Sequence, residues 1–434
     1  MSKDDNINKL KKAKSLLRLN WKEGYTVPSN NLYPHQWSWD SGWIVYGYCA
    51  LNQTDKAEKE MYSLFNYQWN NGLIPSIVFH DKENIDYFPG PDIWDLETNA
   101  YHLTNKFNTT GIVQPPIHAL ACLKIYETNK NIDFVKNIYP KLLKWHKYLY
   151  FERDIFDEGL VYIRHPWESG MDNSPIWDNA FNRIIINEYK YSKMRIDNKK
   201  VNEKERPTDL TYERYIKLIQ LFKLYKFNER LIFENSEFIV QDVLFNTLLL
   251  QSNKALIELA KILNYKNDIN LLRYWVNKTE NAIETKLYNN GFFYDYDLKI
   301  KKLIDIKTIT GLSPIIFTKY SRNIITNLKK HFLKTDNYNI ASLDRSHIDF
   351  DSINYWRGPM WINLSWLILS EIKNLDKDLF NNIKDNCLDK INDIGFFEYF
   401  DSNDTDNLKE SGIGDNSFSW TAAIFVCMLN DIEF

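Results

Sequence analysis

The sequence predicts an all-α fold: a toroid of helical hairpins of the (α/α)6-barrel type, with long loops and small hairpins on the face that carries the chemistry. Three observations predict it. Apolar residues recur at spacings of three and four along much of the 434-residue chain. The connections between these periodic segments carry Trp, Asp, Gly and Pro. No alternation of strand and helix supports a parallel sheet.

In chain order, helical patterns run through Met61–Tyr67, through Phe134, Ile138, Leu142, Trp145 and Leu149, and through Ile216–Leu224. They resume at Leu244, Leu248, Leu256, Leu259 and Leu263, where Ser252–Asn253 reads as a short polar break. Further patterns cover Leu271–Ile283, Trp361–Ile372 and Phe418–Leu429. Between them lie connections at 24–43, 72–95, 109–117, 164–178, 286–297, 340–360 and 394–417, and Phe292–Tyr294 is short enough for a small hairpin. About a dozen helices joined this way make a toroid of hairpins. The absence of a fixed repeat disfavours a solenoid. No Pro/Gly/Ser-rich linker divides the chain, so residues 1–434 read as one catalytic domain, with the lysine-rich stretch 187–205 as a solvated polar insertion.

Charge excludes some functions. Lys and Arg number 54 against 57 Asp and Glu, a net charge of −3, without the basic footprint of a nucleic-acid or anionic-membrane binder. No apolar run reaches the roughly 18 residues of a membrane span. The N-terminal segment lacks the apolar core of a secretory signal, so a reducing cytoplasm fits best. Cys49, Cys122, Cys387 and Cys427 lie far apart in or beside apolar stretches and are expected as buried free thiols. No HExxH, zinc-spaced Cys/His pair, Walker A loop or post-strand GxGxxG occurs, so neither metal nor cofactor is expected. Asp401–Asp406 departs from a calcium loop at Thr405 and in lacking the glycine. The expected partner is a small-molecule substrate, and a homo-oligomer is compatible with the composition.

With 14 Trp, 27 Tyr and 25 Phe, aromatics make up 15% of the chain. They fill cores, but they also stack on the apolar faces of sugars, and placement separates the two uses. Five loop segments stand out. In Tyr33–Trp43, indoles flank Asp40 in what reads as a pre-helical loop; helix capping would explain Asp40 or Ser41 but not Trp37 and Trp39. In Gly111–Pro116, Gln114 offers a donor and an acceptor just before a proline-initiated helix. In Arg164–Pro175, Glu168 and Asp172 lie among Trp167, Trp177 and prolines, where burial raises a carboxyl pKa toward that of a general acid. Asn354–Trp361 is an aromatic turn at Gly358-Pro359, and Gly395–Asp401 sets Glu398 between aromatics, followed by Phe418-Ser-Trp420. Glycoside hydrolysis needs two carboxyls, one to protonate the leaving oxygen and one to act on water or carbon. Asp172 and Glu398 are far apart in sequence, so only a closed barrel would bring them together.

At these residues the chain resembles a known group. The segments YPHQWSWDSGW, GIVQPPIHAL, HPWESGMDNSPIWD, RPTDLTYERY, NYWRGPMWINLSWL and FFEYFD…FSWTAA look like family 63 glycoside hydrolases, most of all the compact mannosylglycerate and glucosylglycerate hydrolases. ESGMD and RPT also echo the family 37 trehalases. The resemblance implies an inverting hydrolase of a small α-linked glycosylglycerate, giving hexose and D-glycerate. It implies Asp172 as general acid and Glu398 as general base. It implies Tyr33, Trp37, Trp39 and Asp40 around the sugar, and Tyr87, Gln114, Gly170 and Arg206 as further sugar contacts. Tyr212, Tyr355, Trp356, Gly358 and Trp361 match positions at or near the aglycone side. Arg206 suits either a ligand carboxylate or hydroxyl pair, or the tuning of Asp172 or Glu398. The glycine turn after Glu398 departs from the family, reading KESGIGDN over Lys409–Asn416, and the 187–205 insertion is placed to cover or border the site mouth.

Rival readings are an α-glucosidase, a trehalase-like disaccharidase, and a non-catalytic sugar-binding protein, the last disfavoured by two intact carboxyl positions. An epimerase or lyase on a similar toroid would need a histidine or tyrosine base, and His35 and His165 lie beside the key loops.

Overall fold

In the computed structural model, which describes residues 3–81, 85–334, 337–403 and 411–434, six helical segments close an inner ring. These are Ser38–Ala50, His118–Asn129, Val243–Ile262, the 3₁₀ segment Ile309–Ile316, Ile362–Leu375 and Ser419–Leu429; each packs on the next, and the last returns to the first. Six more lie outside and alternate with them along the chain: Lys3–Leu19, Thr54–Phe65, Ile132–Glu152, Lys266–Ala282, Ser321–Asn327 and Lys377–Ile394. This is the (α/α)6 barrel. The two rings differ in sequence for a physical reason. Two inner helices are buried on all sides, Ser38–Cys49 and Ser419–Met428 without exception. Outer helices bury one stripe, such as Leu272, Trp275, Val276, Thr279 and Ala282. The ring closes at Gly47, where a Cβ would stand 2.5 Å from that of Ala423, so a side chain there would force the first and last inner helices apart.

Connections from inner to outer helices are short: 51–53, 130–131, 263–265, 317–320 and 376. Those from outer to inner helices are long and carry four of the five loop segments and the start of the first, Tyr33–Trp37. The N-terminal ends of the inner helices therefore share one loop-covered face. Two-residue antiparallel pairings pin these loops. Gln36–Trp37 pairs with Ile77–Val78, and Tyr399–Phe400 with Gly412–Ile413. The hairpin Tyr288–Asn289/Phe292–Phe293 turns at Asn290-Gly291, both at positive φ, as a tight type I′ turn requires.

Several expectations need correction. Ser252–Asn253 does not break its helix: Ser252 donates to the Pro116 carbonyl, while Asn253 meets His146 and donates to the Tyr150 hydroxyl at 2.7 Å, all buried. Trp39, Asp40 and Ser41 belong to the first helical turn rather than a loop before it, and no side chain caps that helix. The 187–205 stretch is not simply solvated: Arg195 is buried, and short helical turns at Ser192–Met194, Asp197–Lys200 and Glu203–Glu205 fold it against the loop face. All four cysteines are buried and free. Residues 404–410, with part of the Asp401–Asp406 turn and Lys409 and Glu410, lie outside the described residues. Among the described residues no helix is long and apolar enough to cross a membrane.

Candidate active site

A cavity opens where the long loops meet over the inner ring; with the part open to solvent counted, its empty space is about 510 Å³. Tyr33, Trp37, Trp39, Asp40, Tyr87 and Gln114 line it from the first part of the chain. Gly170, Asp172, Arg206 and Tyr212 follow from the middle, and Tyr355, Trp356, Trp361 and Glu398 from the last part. Gly358 does not line it; its N–H donates to Ser342 Oγ at 3.0 Å, and it supports the turn that carries Tyr355 and Trp356. Pro28, Trp167, Phe418 and Trp420 complete the wall. The last three lie in the aromatic segments, so the signal for them was present; Pro28 had none.

Local structure holds each group. Asp40 sits in the first turn of the Ser38–Ala50 helix, near the positive end of its dipole. Gln114 Oε1 accepts from the Trp39 N–H at 3.0 Å, which commits its acceptor and leaves the amide NH2 for a ligand. Asn173, next to Asp172, accepts from the Trp356 N–H at 2.9 Å and so ties the acid loop to the aromatic turn. In that turn, Trp356 and Trp361 stack at 3.6 Å between ring centroids, and Trp361 stacks in turn on Tyr399 at 4.6 Å. Glu398 Oε1 accepts from the Tyr33 hydroxyl at 2.8 Å. Behind it, Gly414 has φ +74°, and a Cβ there would lie 2.4 Å from Glu398 Oε2. The departing glycine turn thus supplies the backing of this carboxyl.

Arg206 stands between the carboxyls and the insertion. Its Nη1 is 3.6 Å from Glu398 Oε1, its Nε donates to Asp197 Oδ2 at 3.2 Å, and its guanidinium lies 4.4 Å over the Tyr355 ring. Burial pushes Asp172 and Glu398 each up to about 7, with the Arg206 charge opposing that rise in both. Asp40 is also raised well above the usual carboxylate range, by burial and then by the nearby Glu398 charge. Five buried polar atoms on residues of this cavity have no hydrogen-bond partner among the described residues: Trp37 Nε1, Trp39 Nε1, Asp40 Oδ1, Arg206 Nη1 and Glu398 Oε2. Buried polar groups are otherwise almost always paired, so such a cluster marks a surface made for a polyhydroxylated ligand flanked by stacking rings.

Comparison with known proteins agrees. Residues 33–421 match the family described as the mannosylglycerate hydrolase MGH1-like glycoside hydrolase domain. The chain belongs to this glycoside hydrolase family. It is similar to the mannosylglycerate hydrolase of Rubrobacter radiotolerans, 36% identical with 95% of each chain covered, and to the glucosylglycerate hydrolase of Mycolicibacterium hassiacum, 30% identical with 95% of each covered. In structure it is similar to the GH63 mannosylglycerate hydrolase from Thermus thermophilus solved with Tris and D-glycerate. That likeness has a TM-score of 0.85 at 33% identity, covering 96% of this chain and 98% of the other.

Other candidates in this glycoside hydrolase are set aside by their surroundings. Glu168 is fully buried away from the cavity, held by Arg153 through contacts of 2.9 and 3.0 Å and by the Arg164 N–H at 2.7 Å. Burial alone would raise its pKa, but the two arginines hold it below the ordinary value. His35 bonds the Ile85 carbonyl, and His165 accepts from the Trp167 N–H; neither lines the cavity, which removes the histidine bases of an epimerase or lyase. Among the described residues no cluster of three or more His, Cys, Asp or Glu could hold a metal. Sequence reasoning missed Asp197, which anchors both Arg206 and the Tyr212 hydroxyl from within the insertion.

Proposed function

We propose that this glycoside hydrolase cleaves a small α-linked glycosylglycerate, α-mannosylglycerate or α-glucosylglycerate, to free hexose and D-glycerate with inversion at the anomeric carbon. One observation carries the reading: two buried carboxyls with pKa values pushed up to about 7 line a single aromatic cavity of small-molecule size. The activities named for the relatives give the substrate class, and the D-glycerate complex of the Thermus enzyme gives the leaving group.

In this mechanism Asp172 stays protonated near neutrality and donates its proton to the glycosidic oxygen. Glu398 takes a proton from a water that attacks the opposite face of the sugar. The Tyr33 hydroxyl, donating to Glu398 Oε1, holds that carboxyl in place. Inversion needs carboxyls roughly 6.5–9.5 Å apart, enough for that water. Asp40 accepts from sugar hydroxyls, the indole N–H groups of Trp37 and Trp39 and the Gln114 amide donate to them, and the rings hold the apolar sugar face. Arg206 and Tyr212, with Tyr355, Trp356 and Trp361, stand on the side of the leaving glycerate. The catalytic unit is the double ring itself.

A panel of α-mannosylglycerate, α-glucosylglycerate and trehalose tests the substrate. Turnover of a glycosylglycerate with a kcat/KM at least about a hundredfold above that for trehalose is expected, since losing a paired buried charge costs several kcal/mol. A preference for trehalose would overturn the assignment.

A further inference from the structure

The segment 192–206 reaches the cavity wall at Arg206 and is tied to elements that come from distant parts of the chain. Lys200 Nζ donates to the Asn31 carbonyl at 2.7 Å and to Asp86 Oδ2 at 2.6 Å, bracketing the residues that present Tyr33 and Tyr87. At its other end the Glu205 carbonyl accepts from the Tyr399 hydroxyl at 2.9 Å, one residue from Glu398. Between these anchors lies a line of charges. Arg195 forks onto Asp197 with contacts of 3.1 and 2.9 Å and reaches Asp209 at 2.8 Å. Asp197 Oδ2 in turn accepts from Arg206 Nε at 3.2 Å and from the Tyr212 hydroxyl at 3.1 Å, while the Arg195 guanidinium covers the Tyr212 ring at 4.0 Å.

One carboxylate therefore fixes two cavity residues at once. A guanidinium has donors in a rigid plane; holding its Nε edge decides where its other edge points. With Nε on Asp197, Arg206 turns Nη1 toward Glu398, and that nitrogen is buried without a hydrogen-bond partner among the described residues. Arg206 lines the cavity, so its charge is available to an anionic group of the substrate.

We infer that Asp197 is a positioning residue that, through Arg206 and Tyr212, gives this site its selectivity for a leaving group bearing a carboxylate. The inference rests on the glycosylglycerate reading above. Asp197 touches neither the sugar nor the reacting atoms; its effect passes through the two side chains it holds. The segment that carries it is a strap completing the acid-binding side of the cavity.

The test compares wild type, Asp197→Asn and Asp197→Glu with α-mannosylglycerate and α-glucosylglycerate as substrates and with D-glycerate and free hexose as product inhibitors. Hydrogen exchange over residues 192–215 is followed in parallel. Charged hydrogen bonds are the strong ones, so Asp197→Asn should raise KM and the D-glycerate inhibition constant about tenfold or more. The hexose inhibition constant should hardly move, the melting temperature should fall because Arg195 and Arg206 lose a shared counter-charge, and Asp197→Glu should recover much of both losses. Exchange should quicken in 192–215 alone, a readout that needs no substrate. If wild type turns over neither glycosylglycerate, the proposed substrate fails and exchange alone judges the tie. An unchanged exchange pattern, equal weakening of hexose and D-glycerate inhibition, or no recovery in Asp197→Glu would each overturn the inference.

Discussion

Glu168 and Asp172 come from one short loop and are both withdrawn from bulk water, yet they lie on opposite sides of the ordinary carboxylate range. Glu168 meets Arg153 and Arg164, which, with Glu229 and Tyr148, form a closed buried network. Its charge is matched, and its pKa falls. Asp172 has no side-chain hydrogen-bond partner among the described residues and faces the Arg206 charge only across the cavity, and its pKa rises to about 7. Burial favours the neutral acid in both; the number of fixed cations decides the outcome. One carboxyl of the loop is built to stay ionised and hold the walls together, the other to carry a proton.

That contrast predicts which substitutions remove activity and which remove the fold. The largest effect on rate belongs to Asp172→Asn and Glu398→Gln, each expected to lower kcat by about 10²–10⁴. Neither should lose stability. An acid whose folded pKa lies above its unfolded value loses stability as pH rises between the two, and one pKa unit is about 1.4 kcal/mol. Asp172→Asn should therefore match or exceed the wild-type stability at pH 7 to 8, by up to ~2 kcal/mol in denaturant titration. Near-wild-type turnover in either variant would remove that residue from the mechanism.

Glu168→Gln should show the reverse pattern. Stripping one charge from a buried network costs about 3–5 kcal/mol, read as a lower denaturation midpoint. Its depressed pKa adds stability that is present above the ordinary glutamate value and lost as pH falls through the folded one, so wild type should weaken on acidification and the variant less so. Stability unchanged in Glu168→Gln would break the comparison.

The pH dependence of kcat/KM sharpens it next. Glu398 must be ionised, so activity falls as pH drops below about 7; Asp172 must be protonated, so activity falls as pH rises above about 7. The pair should give a narrow bell centred near neutrality. A broad plateau from pH 5 to 9 would contradict both assignments. The smallest effect is expected for Gly414→Ala. Its Cβ would press on Glu398 and its φ favours glycine, so a stability loss of about 1–2 kcal/mol with a modest fall in kcat should appear in melting and turnover assays.

Three outer helices, Thr54–Phe65, Ile132–Glu152 and Lys266–Ala282, and three inner ones, Val243–Ile262, Ile362–Leu375 and Ser419–Leu429, show their apolar spacing in the sequence. Other inner segments are harder to read. Ser38–Cys49 is buried on every side, so it has no polar face to mark a helical period. The inner 3₁₀ segment Ile309–Ile316 carries Pro314 and no such period, and it left no helical signature. In the site, tryptophans beside acids in loops pointed to the cavity, since packing gave them no other reason to be there. What composition cannot reveal is which charges find partners. The 187–205 stretch looks solvated because it is rich in Lys, Asn and Glu, yet Arg195, Asp197 and Arg206 satisfy one another and fold it inward. The roles of Glu168 and Asp172 are likewise separated by Arg153, an outside partner that no local motif announces.

The division of labour between a proton-carrying Asp172 and a water-activating Glu398 is tested most directly by proton NMR of the first sugar released from an α-glycosylglycerate. The account predicts the β-anomer at the earliest times, with the α-anomer growing in only through mutarotation. Prompt release of the α-anomer would mean retention through a covalent intermediate and would contradict the account.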